Sequence, residues 1–455
     1  MYCAEKARVG GYVLDVMIAL AGVFVLLMLS VYKGIYIFYP LFAGLIIFIL
    51  LAWKRGFRLK ELAGMVLKGS RKSLIIVNIL LLIGAITAVW RASGTVAYVV
   101  YYGIKLMEPN LFILYAFILC SAVSFLLGTS FGTVGTIGMI LMVMVKGGDI
   151  NINIVAGAII SGAYFGDRCS PMSSSANLVA TITETDLYIN IKNMFKTAAI
   201  PYLVCMVIYG ILSFQNPLHL GESQIGAELM KTFSLHWAAI LPALIILVLA
   251  AFKVNVKLSM LISIAVGAVV ALLVQKEAAA DILRYIVMGY SMPEKSFLGD
   301  IIAGGGIISM VKVSLIILVS FALSGVFEGT ALLKDVEQWI FRLSGKIGVY
   351  ATMLLTSIMA GSFGCSQTLA IMLTYQLVRS MYDHTRIDKY ELAVDIEDTV
   401  IVISALVPWN IAGAVPAAAL AADSSYIIYS YYLYLLPVSG LVLKRFRSFR
   451  LNKTL

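Results

Sequence analysis

Charged side chains are scarce in this chain. Asp, Glu, Lys and Arg make up 13% of its 455 residues, about half the share of a soluble domain. That excludes an ordinary water-soluble fold. Cysteine is scarce too. The five residues Cys3, Cys120, Cys169, Cys205 and Cys365 have no metal-ligand spacing, and four lie in or beside apolar segments. That pattern argues against a disulfide framework. The three histidines, His219, His236 and His384, fall in or near loops and form no metal motif. No linker-like or low-complexity segment of useful length occurs, so no soluble domain is expected. Metal, nucleophile and selectivity-filter motifs are missing. Their absence argues against an enzyme or a channel and calls for no cofactor.

What is present is apolar. Apolar types reach 61%, and runs of about 20 residues, the length that crosses a bilayer about 30 Å thick, recur along the chain. The expected fold class is an all-α polytopic membrane protein. Candidate spans are 11–31, 34–53, 73–92, 110–127, 133–146, 151–165, 194–214, 235–252, 257–274, 313–327, 349–378, 398–421 and 424–443. The run from Tyr12 to Val31 follows Lys6 and Arg8 but is too long for a signal peptide, and no A-x-A-like site follows it. It reads as a retained first span. The pieces 96–107, 281–292 and 301–312 read as amphipathic or re-entrant, which is tolerated where protein or a water-filled cavity covers the backbone.

The net charge is +10, but its distribution does not suggest a nucleic-acid partner. Lys54, Arg55, Arg58, Lys60, Lys68, Arg71 and Lys72 crowd one loop. Lys444, Arg445, Arg447, Arg450 and Lys453 crowd the C-terminal tail. Basic short loops mark the cytoplasmic side. Both termini are therefore expected there, with an even number of spans between them.

Two polar clusters interrupt the apolar sequence: GAYFGDRCSPMSSSAN (Gly162 to Asn177) and DIEDTVIVISALVPWN (Asp395 to Asn410). A carboxylate at membrane depth is costly and marks a functional site by default. Helix breakers beside it free backbone carbonyls and half-helix ends that can hold an ion. Asp167 is followed by Arg168, Ser170, Pro171, Ser173, Ser174, Ser175 and Asn177. Hard cations such as Na+ take oxygen ligands, and a proton competes for the same carboxylate. The plainer alternative is a structural Asp167 paired with Arg168. Glu397 and Asp398 are adjacent and point about 100° apart on a helix, so one of the two is expected to face the site. Asp398 is the better candidate, leaving Glu397 as an interface residue or proton relay. Trp409 and Asn410 follow Pro408, and Trp409 reads equally as an interfacial anchor. Thr129, Ser130 and Thr133 in GTSFGTVGT, and Gln367 in the matching SQT stretch, are ligand candidates or close-packing residues. Glu328 is a second-tier acid.

The chain also repeats itself. ASGTVA pairs with FEGTAL, GTSFGTVGT with GSFGCSQT, and FGD with IED. The offsets are 235 (Thr95 to Thr330), 233 (Gly128 to Gly361) and 231 (Asp167 to Asp398). Inverted repeats of broken helices are a common plan of secondary transporters. The expected organisation is 1–70 for N-terminal helices and a basic loop, 71–215 for the first repeat, 216–300 for connecting helices, 301–443 for the second repeat and 444–455 for a basic tail.

At these residues the chain resembles the NhaC-type Na+/H+ antiporter family. SGAYFGDRCSPMSSSAN is similar to that family's S-G-A-[FY]-F-G-D-K-x-S-P-L-S-D-T-T-N stretch. GTSFGTVGT, GGGIISM (Gly304 to Met310) and EDTVIVISALVPWN are similar to its other hallmarks. The resemblance runs in order from about residue 70 to 420. It implies a fold of two inverted repeats with re-entrant hairpins, a homodimeric scaffold and a bacterial cytoplasmic membrane. It also implies an ion role for Asp167, Ser170, Pro171, Ser173 and Asn177. Ser174 stands where the family often has Asp, Ala176 where it has Thr, and Ile411 and Ala412 where it has Thr-Cys. The expected function is Na+/H+ antiport with Na+ at Asp167 and Asp398. The alternative is a Na+- or H+-coupled carrier of a small organic acid or amino acid, with Arg168 meeting the anion.

Overall fold

The computed structural model describes residues 2–106, 108–146, 150–218, 228–252, 254, 256–292, 302–330, 336–364 and 366–451. Among these residues the protein is all-α. The one β interaction is an isolated antiparallel bridge between Tyr290 and Gly304.

The first part of the chain forms α1 (Tyr2–Tyr32), α2 (Phe38–Lys54), α3 (Leu59–Ala92), α4 (Thr95–Leu106), α5 (Phe112–Leu127), α6 (Ser130–Thr133), α7 (Met139–Lys146), α8 (Ile152–Cys169), α9 (Ser174–Ile182) and α10 (Leu187–Gln215). A π turn at Val134–Gly138 joins α6 to α7. The remainder forms α11 (Leu241–Ala251), α12 (Val256–Leu273), α13 (Ala279–Met288), α14 (Val311–Thr330), α15 (Val336–Ile347), α16 (Val349–Gly364), α17 (Gln367–His384), α18 (Lys389–Asp398), α19 (Val400–Ser404), α20 (Ile411–Ala419), α21 (Tyr426–Tyr429) and α22 (Tyr431–Leu451).

Among the described residues, four helical segments are long and apolar enough to cross a membrane: Leu59–Ala92, Pro109–Leu127, Leu187–Gln215 and Ile307–Thr330. Shorter apolar helices accompany them, including Phe38–Lys54, Val349–Gly364 and Tyr431–Lys444. Along α10, Ile200, Leu203, Val207, Ile211 and Phe214 form one exposed apolar stripe. In water such a stripe would be a liability; against lipid tails it is the expected surface. The protein is therefore a multi-pass membrane protein.

The helices meet closely where side chains vanish. A Cβ on Gly166 of α8 would sit 2.3 Å from the backbone N of Phe125 on α5, and one on Gly69 of α3 would sit 2.2 Å from the carbonyl O of Phe321 on α14. Small residues at such crossings let membrane helices approach and gain dispersion contacts. Lys72 on α3 pairs with Glu328 on α14 at 2.6 Å. The bend leading into α14 meets α3 further along, where Gly306 N donates to Gly84 O at 2.7 Å. The two helices therefore run antiparallel.

Breaks fall where the sequence places breakers. α5 stops at Gly128, in the left-handed region with φ 64°. Thr129 is extended, and its side chain accepts the Gly132 N–H to start α6. α8 stops before Ser170, and Ser173 restarts the chain by accepting from Ala176 N. Ser366 caps α17 through Leu369 N, and Asn410 caps α20 through Ala412 N. The 349–378 and 398–421 runs, which read as continuous spans, are thus each divided. Hydrophobicity is continuous across the divisions, while Ser366, Pro408 and Asn410 set the backbone. The 96–107 piece is helical as α4, the 281–292 piece mostly as α13, and 301–312 holds the bend before α14. Cys365 lies outside the described residues, and Cys120, Cys169 and Cys205 are buried free thiols.

Candidate functional site

Asp167 lies in the last turn of α8, 5% exposed. Its two oxygens receive one hydroxyl each: Ser130 Oγ donates to Oδ2 at 3.1 Å and Ser173 Oγ to Oδ1 at 3.1 Å. Ser173 Oγ also lies 2.8 Å from Ser175 Oγ. Ser130 opens α6 after one break, and Ser173 caps α9 after another. A single carboxylate therefore ties together two helix breaks. Ser173 is also the N-cap of α9, so the N-terminal end of that helix stands beside the acid, which favours negative charge there.

Arg168, the next residue, turns the other way. It is fully buried and forms an ion pair with Asp398. Its Nη2 also donates to Thr197 Oγ1 at 2.8 Å and to Met194 O at 3.3 Å, and its Nη1 to Tyr432 OH at 3.1 Å. Thr197 Oγ1 donates to Asp398 Oδ1 at 3.2 Å. The negative charge of Asp398 is therefore matched by a dedicated counter-charge and a hydroxyl.

Glu397 is different. It is 0% exposed, and among the described residues neither of its carboxyl oxygens has a hydrogen-bond partner. It lies within electrostatic reach of Arg168, Asp167 and Asp398. Three acids and one guanidinium thus share a buried region. One acid is paired, one is cradled by hydroxyls, and one is unpartnered. A buried ionised carboxylate without partners is expensive.

The other sequence candidates are dispersed around this centre. Ser170 Oγ accepts from Met172 N at 3.1 Å, and Asn177 Nδ2 donates to Ser173 O at 2.6 Å and Pro171 O at 3.2 Å, so both shape the break rather than touch Asp167. Thr129 caps α6, and Thr133 Oγ1 donates to Thr129 O at 3.0 Å. Gln367 Nε2 donates to Ile401 O at 3.4 Å, and Asn410 Nδ2 to Gly361 O at 2.7 Å. Trp409 is fully buried and its Nε1 donates to Ser362 O at 2.7 Å, so it is no interfacial anchor. Ser174 is exposed. Glu328 is engaged with Lys72 and takes no part.

Sequence reasoning passed over Thr197, Tyr432 and Tyr164, whose hydroxyl donates to Ala412 O at 2.7 Å. It also passed over a second network that begins one turn back along α18. Lys444 pairs with Asp395 at 2.5 Å and Glu391 at 2.8 Å, and Tyr382 OH donates to Asp395 Oδ2 at 2.6 Å. Glu391, Asp395 and Asp398 stand at i, i+4 and i+7. That spacing on one helix face was the available signal.

The Na+/H+ antiporter family profile matches residues 8–163 and 162–445, nearly the whole chain. The chain belongs to the Na+/H+ antiporter family. Among relatives, a malate-2H(+)/Na(+)-lactate antiporter of Bacillus subtilis (strain 168) is 30% identical over 401 residues, 86% of each chain. The Na(+)/H(+) antiporter NhaC of Alkalihalophilus pseudofirmus is 30% identical over 368 residues, 79% of each chain. The arginine/ornithine antiporter ArcD of Halobacterium salinarum is 25% identical over 371 residues, 79% of this chain and 76% of its own. Family membership spans both halves of the site, since Asp167 and Glu397 fall in the second matched stretch.

Proposed function

We infer that the protein is a secondary Na+/H+ antiporter working by alternating access, a transporter rather than an enzyme. The observation that carries the reading is Asp167, held between Ser130 and Ser173 at two helix breaks. Na+ would sit on the Asp167 carboxylate, with the two hydroxyls turning their lone pairs to the ion. A proton would occupy the same carboxylate in the ion's absence. Glu397 would take the second exchangeable proton, and Asp398 would serve through Arg168 as the fixed counter-charge. The sequence alone favoured Asp398 as a ligand. Its ion pair favours a positioning role instead.

Exchange follows from competition. Na+ and H+ exclude each other at Asp167, so lowering pH should raise the Na+ concentration needed for half-maximal transport. Support for the inverted repeat is a pair of breaks of the same kind, Thr129 capping α6 and Ser366 capping α17, 237 residues apart and so four residues outside the 233 offset read from the sequence. A homodimer in a bacterial cytoplasmic membrane, with both termini cytoplasmic, completes the proposal.

The second reading, a coupled carrier of a small organic acid or amino acid, draws on the malate/lactate and arginine/ornithine relatives. A proteoliposome assay separates the two. Under the first, Na+ or Li+ alone dissipates a preset pH gradient, and Asp167→Asn abolishes the response. A wild-type protein inert to Na+ and Li+ across about pH 6–9, but importing a labelled carboxylate or amino acid, would overturn the first and leave the second.

A further inference from the structure

Tyr164 joins the Asp167 cradle to the second half of the chain. It lies on α8 three residues before Asp167, on the same flank of the helix, and is fully buried. Its hydroxyl donates to Ala412 O at 2.7 Å. That carbonyl is available for a chemical reason. Ala412 is in the first turn of α20, and four residues further on stands Pro416, which has no N–H to return to it. A buried carbonyl needs a donor, and the phenol supplies one. Ala412 is itself held in place. Its N–H donates to Asn410 Oδ1 at 3.0 Å, and Asn410 Nδ2 donates to Gly361 O at 2.7 Å. α20 packs against α6, the short helix that Ser130 opens.

A hydroxyl has one hydrogen to give and lone pairs to receive. Tyr164 gives its hydrogen to Ala412 O, so towards its other neighbours its oxygen is an acceptor. The Ser130 side chain is within hydrogen-bonding reach of that oxygen, and Asp167 lies within its electrostatic range. Ser130 also has one hydrogen, and it points at Asp167 Oδ2, with 3.1 Å between the oxygens. That orientation suits a bare carboxylate and does not suit a bound cation. A hydroxyl facing Na+ presents its oxygen, and its hydrogen must turn to another acceptor. In a buried site a hydroxyl hydrogen left unpaired is costly. Tyr164 is placed to receive it.

We propose that Tyr164 is a positioning residue for cation binding: it takes the Ser130 hydrogen when Na+ occupies Asp167, so that the hydrogen bonds run from Ser130 to Tyr164 to Ala412 O. When the cation leaves, the Ser130 hydrogen returns to Asp167. No covalent bond breaks; one hydroxyl turns. The inference rests on the Asp167 reading and adds how Ser130 serves both states of the carboxylate. Tyr164 favours Na+ without touching it, and the chain of bonds ends on the second half of the protein, at a carbonyl that Pro416 leaves open.

The test measures Na+-driven proton flux by the purified full-length protein in proteoliposomes. Tyr164→Phe keeps the ring and loses the acceptor. It should raise the half-maximal Na+ concentration about fivefold or more, with a smaller effect on the maximal rate. In a Ser130→Ala background the hydrogen is already gone, so Tyr164→Phe should add little there. Independent, multiplying effects in the double variant would overturn the proposal. So would an unchanged half-maximal Na+ concentration in Tyr164→Phe, or a loss confined to the maximal rate. A measurement on the wild-type chain does not depend on how the variants fold. The infrared spectrum with Na+ minus that with choline, taken on protein carrying ring-deuterated tyrosine, should contain a tyrosine band that Asp167→Asn lacks. The absence of any tyrosine band in the wild type overturns the proposal. Exchange that Asp167→Asn abolishes, together with unchanged Na+ dependence in Tyr164→Phe, sinks this inference and leaves the Asp167 reading standing. A wild type that does not exchange Na+ for H+ sinks the Asp167 reading, and this inference with it.

Discussion

Removing the charge of Asp398 should destabilise the protein, and removing its partner as well should restore much of what is lost. Arg168 is 0% and Asp398 4% exposed at the side chain. Asp398→Asn leaves a fully buried guanidinium whose remaining partners, Tyr432, Thr197 and Met194 O, are neutral. Breaking one side of a buried pair costs about 3–5 kcal/mol, whereas replacing both members is often near neutral. Arg168→Gln should cost at least as much, because it strands Asp398 beside Glu397. The double variant Arg168→Gln/Asp398→Asn should then melt closer to wild type than either single variant, with a coupling energy of about 2–4 kcal/mol in a double-mutant cycle. The assay is thermal melting of the detergent-purified protein, followed by Na+-driven proton flux in proteoliposomes. If Asp398 positions rather than binds, the double variant retains exchange. Additive losses in stability, or a well-folded double variant with no exchange, would refute the assignment and return Asp398 to the ligand shell.

Three further outcomes follow from the geometry. Ser130→Ala removes one of the two hydroxyls on Asp167 and should raise the half-maximal Na+ concentration about tenfold, the equivalent of about 1.4 kcal/mol; an unchanged value in flux measurements would remove Ser130 from the site. Gly166→Ala places a methyl 2.3 Å from Phe125 N, so α5 and α8 must separate. A markedly lower melting temperature is expected, and wild-type melting would contradict the close packing. Lys444→Ala leaves Asp395, 2% exposed, without its cation; the variant should lose stability, and Lys444→Ala/Asp395→Asn should recover part of it in the same melting assay.

The broken-helix plan was legible because its causes are local. Gly128, Pro171 and Ser173 act on their own backbone, and the structure interrupts the chain where they stand. Pairing was less legible because it is long-range. Arg168 reads in sequence as a partner for its neighbour Asp167. Adjacent residues on a helix diverge by about 100°, and the guanidinium instead reaches an acid 230 residues away. The same divergence separates Glu397 from Asp398, and the sequence holds no cue to which one meets Arg168. Lys444 counted as one basic residue of a tail, yet α22 carries it as a helical residue onto Asp395.

Direct proton counting tests the central claim most closely. Na+ is added to the purified protein in weakly buffered detergent solution with a pH dye. Binding at Asp167 in competition with a proton predicts saturable acidification by Na+, none by an equal concentration of choline, and none in Asp167→Asn. Acidification that persists in Asp167→Asn would contradict the account, because the exchanged proton would then reside elsewhere.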